Sequence, residues 1–114
     1  MIDALAELRR RLTERPEIEF TEAAGQITIE PSNEFGFAAS LEVRQGSHTV
    51  SFDGWHEHFE SGEEALDCLA FGLSPACRLK IAFRGASACS WTVQSMHAGE
   101  WVDDSTVGRL LVPF

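Results

Sequence analysis

The sequence predicts an α+β fold in which a single curved antiparallel sheet of about six to eight strands carries two helices on one face. Three observations support this prediction. Apolar and polar residues alternate along most of the chain, two segments instead repeat apolar residues at helical spacing, and short turns separate consecutive strands. Because short turns join antiparallel neighbours, the predicted order is one helix, four strands, a second helix, and three or four further strands.

The first predicted helix covers residues 2–13. Its apolar residues recur every three or four positions, at Ile2, Leu5, Leu8 and Leu12. Acidic residues come early in this segment and three consecutive arginines come late, an order that complements the helix dipole. Pro16 ends the element, because proline disfavours helical geometry at the residue before it.

Four strands are predicted next from their strict alternation. Residues 17–21 and 26–30 form a hairpin, and residues 37–44 form a longer strand. After a turn, Val50 and Phe52 carry the inward face of the return strand. The sequence therefore suggests that the following residues connect this fourth strand to the second helix.

The second helix is predicted at about residues 62–74. Ser61 and Glu64 fit a capping box, in which each residue bonds the backbone N–H of the other. An apolar stripe follows at Leu66, Leu69, Ala70 and Leu73. The economical arrangement docks this stripe on the open face of the sheet.

The rest of the chain returns to alternation. Strands are predicted at residues 78–83 and 89–94, a shorter one at 100–102, and a final edge strand at 110–112. The length and the absence of a linker or an internal repeat predict one globular domain over residues 1–114.

The charge balance of the chain is strongly acidic. It holds 18 acidic and 9 basic residues, a formal net charge of −9. Such a surface repels phosphate backbones and anionic membranes, so nucleic acid and membranes are disfavoured and a basic protein partner is favoured. The alternative is that the acidic residues only keep the protein soluble.

Cysteine usage and the first residues predict a cytoplasmic location. The three cysteines Cys68, Cys77 and Cys89 are odd in number and lack metal-binding spacing. The first residues show no basic and apolar segment typical of a secretory signal. No apolar run approaches the roughly 18 residues that a membrane span needs.

The segment 53–60 concentrates side chains that can bind a metal or move protons. His56 and His58 are two residues apart, so an extended backbone points both the same way. With Asp53 they could contribute ligands to a zinc or iron site, or a histidine beside a carboxylate could act as a general base. The structural alternative is that the imidazoles bond nearby carbonyls. No nucleophile or phosphate-loop motif accompanies the pair.

The main functional prediction is a non-enzymatic protein-binding module that uses the acidic, aromatic-bearing region 53–67. Acidic charge speeds association with a basic partner and aromatic side chains anchor it. The predicted binding residues are Trp55, Glu57, Glu60, Glu63, Asp67, Asp103 and Asp104. One concrete version is an inhibitory module of the immunity type, which masks the active site of a basic toxin or nuclease. The alternative is that the acids decorate a helix start and the tryptophans belong to the core.

Two further possibilities stay open at the level of sequence. A small-ligand carrier would hold its ligand in a pocket between the sheet and the second helix. A homo-oligomer would give the apolar Phe114 a second subunit to pack against, although Phe114 could equally pack on its own sheet.

Overall fold

A computed structural model describes residues 3–31 and 36–108. Within these ranges the chain forms two helices, α1 (Ala4–Thr13) and α2 (Gly62–Gly72), and eight antiparallel strands. The strands are β1 (Phe20–Ala23), β2 (Gln26–Ile29), β3 (Ala39–Arg44), β4 (Ser47–Phe52), β5 (Trp55–Phe59), β6 (Cys77–Arg84), β7 (Ser87–His97) and β8 (Glu100–Gly108). The predicted α+β class, with helices on antiparallel strands, is confirmed. Neither of these helices is long and apolar enough to cross a membrane.

The strands form two sheets, which corrects the prediction of a single sheet. The first has the order β1-β2-β3-β4-β5 and the second the order β6-β7-β8. Helix α2 follows β5 directly, so the chain leaves the first sheet before β6 begins. The element order is therefore one helix, five strands, one helix and three strands.

The additional strand is β5, where the sequence suggested a connection. A two-residue turn, Asp53-Gly54, reverses the chain so that Trp55 pairs with Phe52. Aspartate-glycine is a typical hairpin turn, and it gives β5 the register that decides where each of its side chains points. The strand predicted at 110–112 lies outside the described residues.

Both helices begin at a side-chain cap. The carboxylate of Asp3 accepts a hydrogen bond from the Ala6 N–H at 3.1 Å, and the Ser61 hydroxyl accepts one from the Glu64 N–H at 3.3 Å. Each helix buries one apolar stripe. The buried residues are Ala4, Leu8 and Leu12 in α1, and Ala65, Leu66, Leu69 and Gly72 in α2.

The core lies between these stripes and one face of the five-stranded sheet. Cross-strand partners share this face, and seven of its side chains are at most 3 % exposed: Ile27, Ile29, Ala39, Leu41, Val50, Phe52 and Trp55. Helix α2 approaches the face closely because it carries Gly72. A Cβ atom at this position would lie 2.1 Å from the Phe52 ring.

The three-stranded sheet meets the first sheet at the turn between β4 and β5. The Trp91 indole Nε1 donates to the Asp53 Oδ2 at 2.9 Å, and the Trp55 indole Nε1 donates to the Ser105 Oγ at 3.2 Å. A Cβ atom at Gly54 would lie 2.2 Å from the Trp91 ring, so the turn rests directly on the indole. This junction joins the two sheets through side chains.

The second sheet is rich in buried polar groups. Thr92, Gln94 and Ser95 are 5–7 % exposed, and each of them is hydrogen bonded. The Gln94 amide accepts from the Arg78 Nε and donates to the Asp103 Oδ1, both at 2.6 Å. A hydrogen-bonded network therefore extends across all three strands.

Candidate functional site

Helix α2 presents acidic side chains on the side opposite its buried stripe. Glu63 and Asp67 are four positions apart and Glu64 and Asp67 are three apart, so the three side chains lie together on the helix surface. All three are exposed. The Glu64 N–H bonds the Ser61 hydroxyl, but among the described hydrogen bonds none returns from the Glu64 carboxylate. The predicted capping box is thus formed in one half, and the Glu64 carboxylate belongs to the acidic side of the helix.

Two further acidic residues come from β5 and its exit. Glu57 pairs with Val50 and therefore lies on the helix-bearing face of the sheet, while Glu60 precedes the helix cap. Burial raises the pKa of the Cys68 thiol to about 12, and the negative charge of Glu57 adds to this shift. Strand β5 is in contact with α2, and Glu60 lies between the two elements in the chain, so the strand and helix carboxylates are neighbours. We call Glu57, Glu60, Glu63, Glu64 and Asp67 the acidic surface.

The carboxylates of the acidic surface form no ion pair in the described part of the chain. The ion pairs of the described residues all lie elsewhere in the structure, and most of them involve the arginines of α1 and the following loop. Arg9 pairs with Glu22, Arg10 with Glu7, and Arg15 with Glu17. The positive charges of these arginines are therefore paired with carboxylates close to α1. None of these ion pairs offsets the negative charge of the acidic surface.

The remaining predicted binding residues have structural partners. Trp55 is 3 % exposed and stacks on Phe52 with ring centroids 5.0 Å apart, so it is a core residue and offers no exposed anchor. Asp103 accepts from Gln94, and Asp104 accepts from the Ser95 hydroxyl at 3.0 Å. The predicted set therefore divides into four carboxylates of the acidic surface, two exposed carboxylates that are bonded to β7, and the buried Trp55.

The predicted histidine pair lies on the other face of the first sheet. His56 pairs with Ser51 and His58 with Thr49, which turns both imidazoles away from the helices, as the two-residue spacing predicted. Their ring centroids are 5.8 Å apart, and the His58 Nδ1 lies 2.8 Å from the Thr49 Oγ1. The side chain of Glu57 points to the opposite face and cannot complete a site with them.

Within the part of the chain that the structure describes, no metal centre is assembled around the histidines. The Asp53 carboxylate accepts from the Trp91 indole and so has a structural partner. Across the described ranges, no group of three or more histidine, cysteine or acidic side chains is placed to hold a metal ion. The zinc or iron site therefore has at most the two imidazoles as its ligands in this part of the chain, fewer than such sites require.

His56 borders a shallow cleft of about 460 Å³ at the junction of the two sheets. The other lining residues are Asp53, Gly54, Trp91, Val107 and Gly108. An acid–base mechanism needs a reacting group beside the base, and this lining supplies one imidazole, an aromatic wall and a carboxylate already bonded to the indole. The cleft has too few reactive groups to define a reaction.

The cysteines near the acidic surface are poor nucleophiles. Burial raises the pKa of Cys68 to about 12 and that of Cys77 to about 11, with the charge of Asp104 adding to the second shift. Both thiols are therefore protonated at neutral pH, and the thiolate is the reactive form.

A pocket exists, but it lies between the two helices and not between the sheet and α2 as predicted. It measures about 410 Å³, and Arg11 and Arg15 line it beside apolar side chains. No local pattern in the sequence predicted this pocket, because nothing in one helix shows which face of another helix it meets.

The function of these surfaces has to be derived from the residues themselves. No family model, curated protein or solved structure matches the chain.

Proposed function

We propose that this protein is a non-enzymatic binding module whose acidic surface meets a basic protein partner. The observation that carries the proposal is the concentration of five exposed carboxylates on β5, its exit and α2, without an ion pair in the described residues. An inhibitor of the immunity type, acting on a basic toxin or nuclease in the cytoplasm, is the concrete version of this function.

The helix dipole accounts for only part of this acidic surface. Glu63 and Glu64 lie in the first turn of α2, where negative charge stabilises the helix start. Glu57 lies on a strand and Asp67 lies in the second turn, so this local effect does not explain them. Like charges held close together repel one another, and a basic partner would remove that repulsion on binding.

The form of the surface also predicts how binding would behave. Trp55 is buried, so the aromatic anchor predicted for the acidic surface is not exposed to a partner, although such anchors typically supply much of the binding energy at an interface. Binding that depends mainly on charge is fast and weakens as salt screens it, over about 8 Å at physiological ionic strength. We therefore expect rapid association with a marked salt dependence.

The test compares two triple variants with equal net charge. E57Q/E60Q/E63Q neutralises the acidic surface, and E19Q/E30Q/E100Q neutralises three exposed carboxylates elsewhere. Proteins captured on the wild-type chain from a lysate of its source organism are identified, and their affinities are measured by surface plasmon resonance at several salt concentrations. We expect a basic partner whose dissociation constant rises at least tenfold with the first variant and less than twofold with the second.

If both variants raised the dissociation constant equally, the interaction would depend only on the net charge of the protein. This result would contradict binding through the acidic surface. A partner unaffected by either variant, or the absence of any partner, would also contradict the proposal. We expect circular dichroism of both variants to show that the fold is retained, because all six positions are exposed.

A further inference from the structure

The groove between α1 and α2 has the composition of a small-molecule site. Its volume of about 410 Å³ falls in the range of about 300–1,000 Å³ that is usual for ligand pockets. Leu8, Leu12, Leu66 and Leu69 form its floor and are almost fully buried. Ile18, Ala70, Leu73 and Pro75, which are more accessible, form apolar walls.

The charged residues of the groove lining are Arg11 and Arg15. Each of them engages a carboxylate only through its Nε atom. The Nε of Arg11 donates to Glu7 at 3.1 Å, and the Nε of Arg15 donates to Glu17 at 2.9 Å. Neither residue uses its Nη1 or Nη2 atom in the hydrogen bonds of the described ranges.

The neighbouring arginines of α1 differ in this respect. Arg10 uses Nε, Nη1 and Nη2 on Glu7 and Glu14, and Arg9 uses Nε and Nη2 on Glu22. In the described part of α1 and the loop after it, the two arginines that line the groove are thus the ones that keep both terminal nitrogens available. A guanidinium edge of this kind bonds a carboxylate in a bidentate manner.

We propose that this groove binds a small amphipathic carboxylate, with the apolar body between the helices and the carboxylate on the Nη atoms of Arg11 and Arg15. The apolar lining stabilises the body through burial, and the guanidinium edges fix the orientation of the head. The occupant carries negative charge because the two polar side chains with free donors are cations. This site is separate from the acidic surface, so neither proposal depends on the other.

The experiment uses octanoate as the probe, below its critical micelle concentration, in a two-dimensional ¹H–¹⁵N NMR titration of the full chain. We expect saturable shifts at amides of residues 8–18 and 66–75. Octan-1-ol, with the same chain and no charge, should bind at least tenfold more weakly, and octylammonium should leave these amides unshifted. No binding of octanoate, shifts confined to other regions, or equal binding of the three probes would overturn the proposal.

Two variants separate recognition of the head from general charge. R11Q/R15Q should weaken octanoate binding at least tenfold, whereas R9Q/R10Q, which removes the same charge from the same region, should change it less than twofold. A third variant, Ala70→Trp, fills the groove from an exposed position and should abolish binding without altering charge. Equal weakening by the two arginine pairs, or unchanged binding after Ala70→Trp, would contradict the site.

Discussion

The two sheets of this protein are stabilised in different ways. The five-stranded sheet presents a mainly apolar face to the helices, where Phe52, Ile27, Ile29 and Leu41 are inaccessible to water. The three-stranded sheet instead buries Thr92, Gln94 and Ser95 in a hydrogen-bonded network, and its Phe83 is 62 % exposed. The first sheet therefore depends mainly on the hydrophobic effect, whereas the second combines a few buried apolar side chains with buried polar groups that are hydrogen bonded.

This difference has a consequence for stability. Removing a methyl or phenyl group from an apolar core costs the transfer energy and leaves a cavity, whereas removing one member of a partly accessible network allows water to replace it. We therefore expect the first sheet to be far more sensitive to substitution than the second, with the junction between them in an intermediate position.

The largest effect should come from Phe52→Ala in β4. Phe52 is 0 % exposed, packs on Gly72 and stacks on Trp55, so its loss should lower the free energy of unfolding by about 3–5 kcal/mol. The matched control is Phe83→Ala in β6, which should change it by less than about 0.5 kcal/mol. Urea unfolding followed by circular dichroism measures the free energy of unfolding of both variants. A similar loss of stability in the two variants would contradict the contrast between the sheets.

An intermediate effect is expected for Gly54→Ala at the junction. The new Cβ atom would lie 2.2–2.6 Å from three atoms of the Trp91 ring, so the turn or the indole must move, at a cost of about 1–3 kcal/mol. Gly36→Ala is the control, because a Cβ atom there meets nothing within 4 Å. Thermal unfolding and tryptophan fluorescence would report the change. Unaltered stability and fluorescence in Gly54→Ala would show that the junction does not hold the sheets together.

The smallest effect should come from Gln94→Ala in β7. The variant loses the bonds to Arg78 and Asp103, but both partners are exposed and can bond water, so the cost should be about 1 kcal/mol. The control is Gln26→Ala in β2, whose single side-chain bond to Thr28 measures 3.4 Å, and it should cost less. A loss in Gln94→Ala as large as that in Phe52→Ala would mean that the network, and not the apolar face, dominates stability.

Local patterns in the sequence predicted the elements well because each element has its own periodicity. The leucine spacing and the cap residue Ser61 predicted α2 to within two residues of its end at Gly72. The number of sheets could not be predicted in this way, since no periodicity states which strands pair across an intervening helix. The strand β5 was missed because its three central residues are polar, although the Asp53-Gly54 turn was a signal for a hairpin.

The sequence predicted the site only where the exposure of a side chain follows from the spacing of residues within one helix or strand. Helical spacing was sufficient to place Glu63 and Asp67 on the solvent side of α2. The burial of Trp55 depends on its pairing with Phe52 and its bond to Ser105, which is 50 positions away in the sequence. The bonds that Asp103 and Asp104 make to β7 likewise depend on strand register, and a register shift after Val93 leaves Asp104 without a backbone partner opposite it.

The contact between Phe52 and Gly72 also constrains how this sequence can change over time. The two positions share one volume, because the ring fills the space that a side chain on α2 would need. A larger residue at 72 becomes acceptable only after position 52 has become smaller, and a change at 52 alone leaves a void. In any set of natural relatives, positions 52 and 72 should therefore vary together, with the summed size of the two side chains nearly constant.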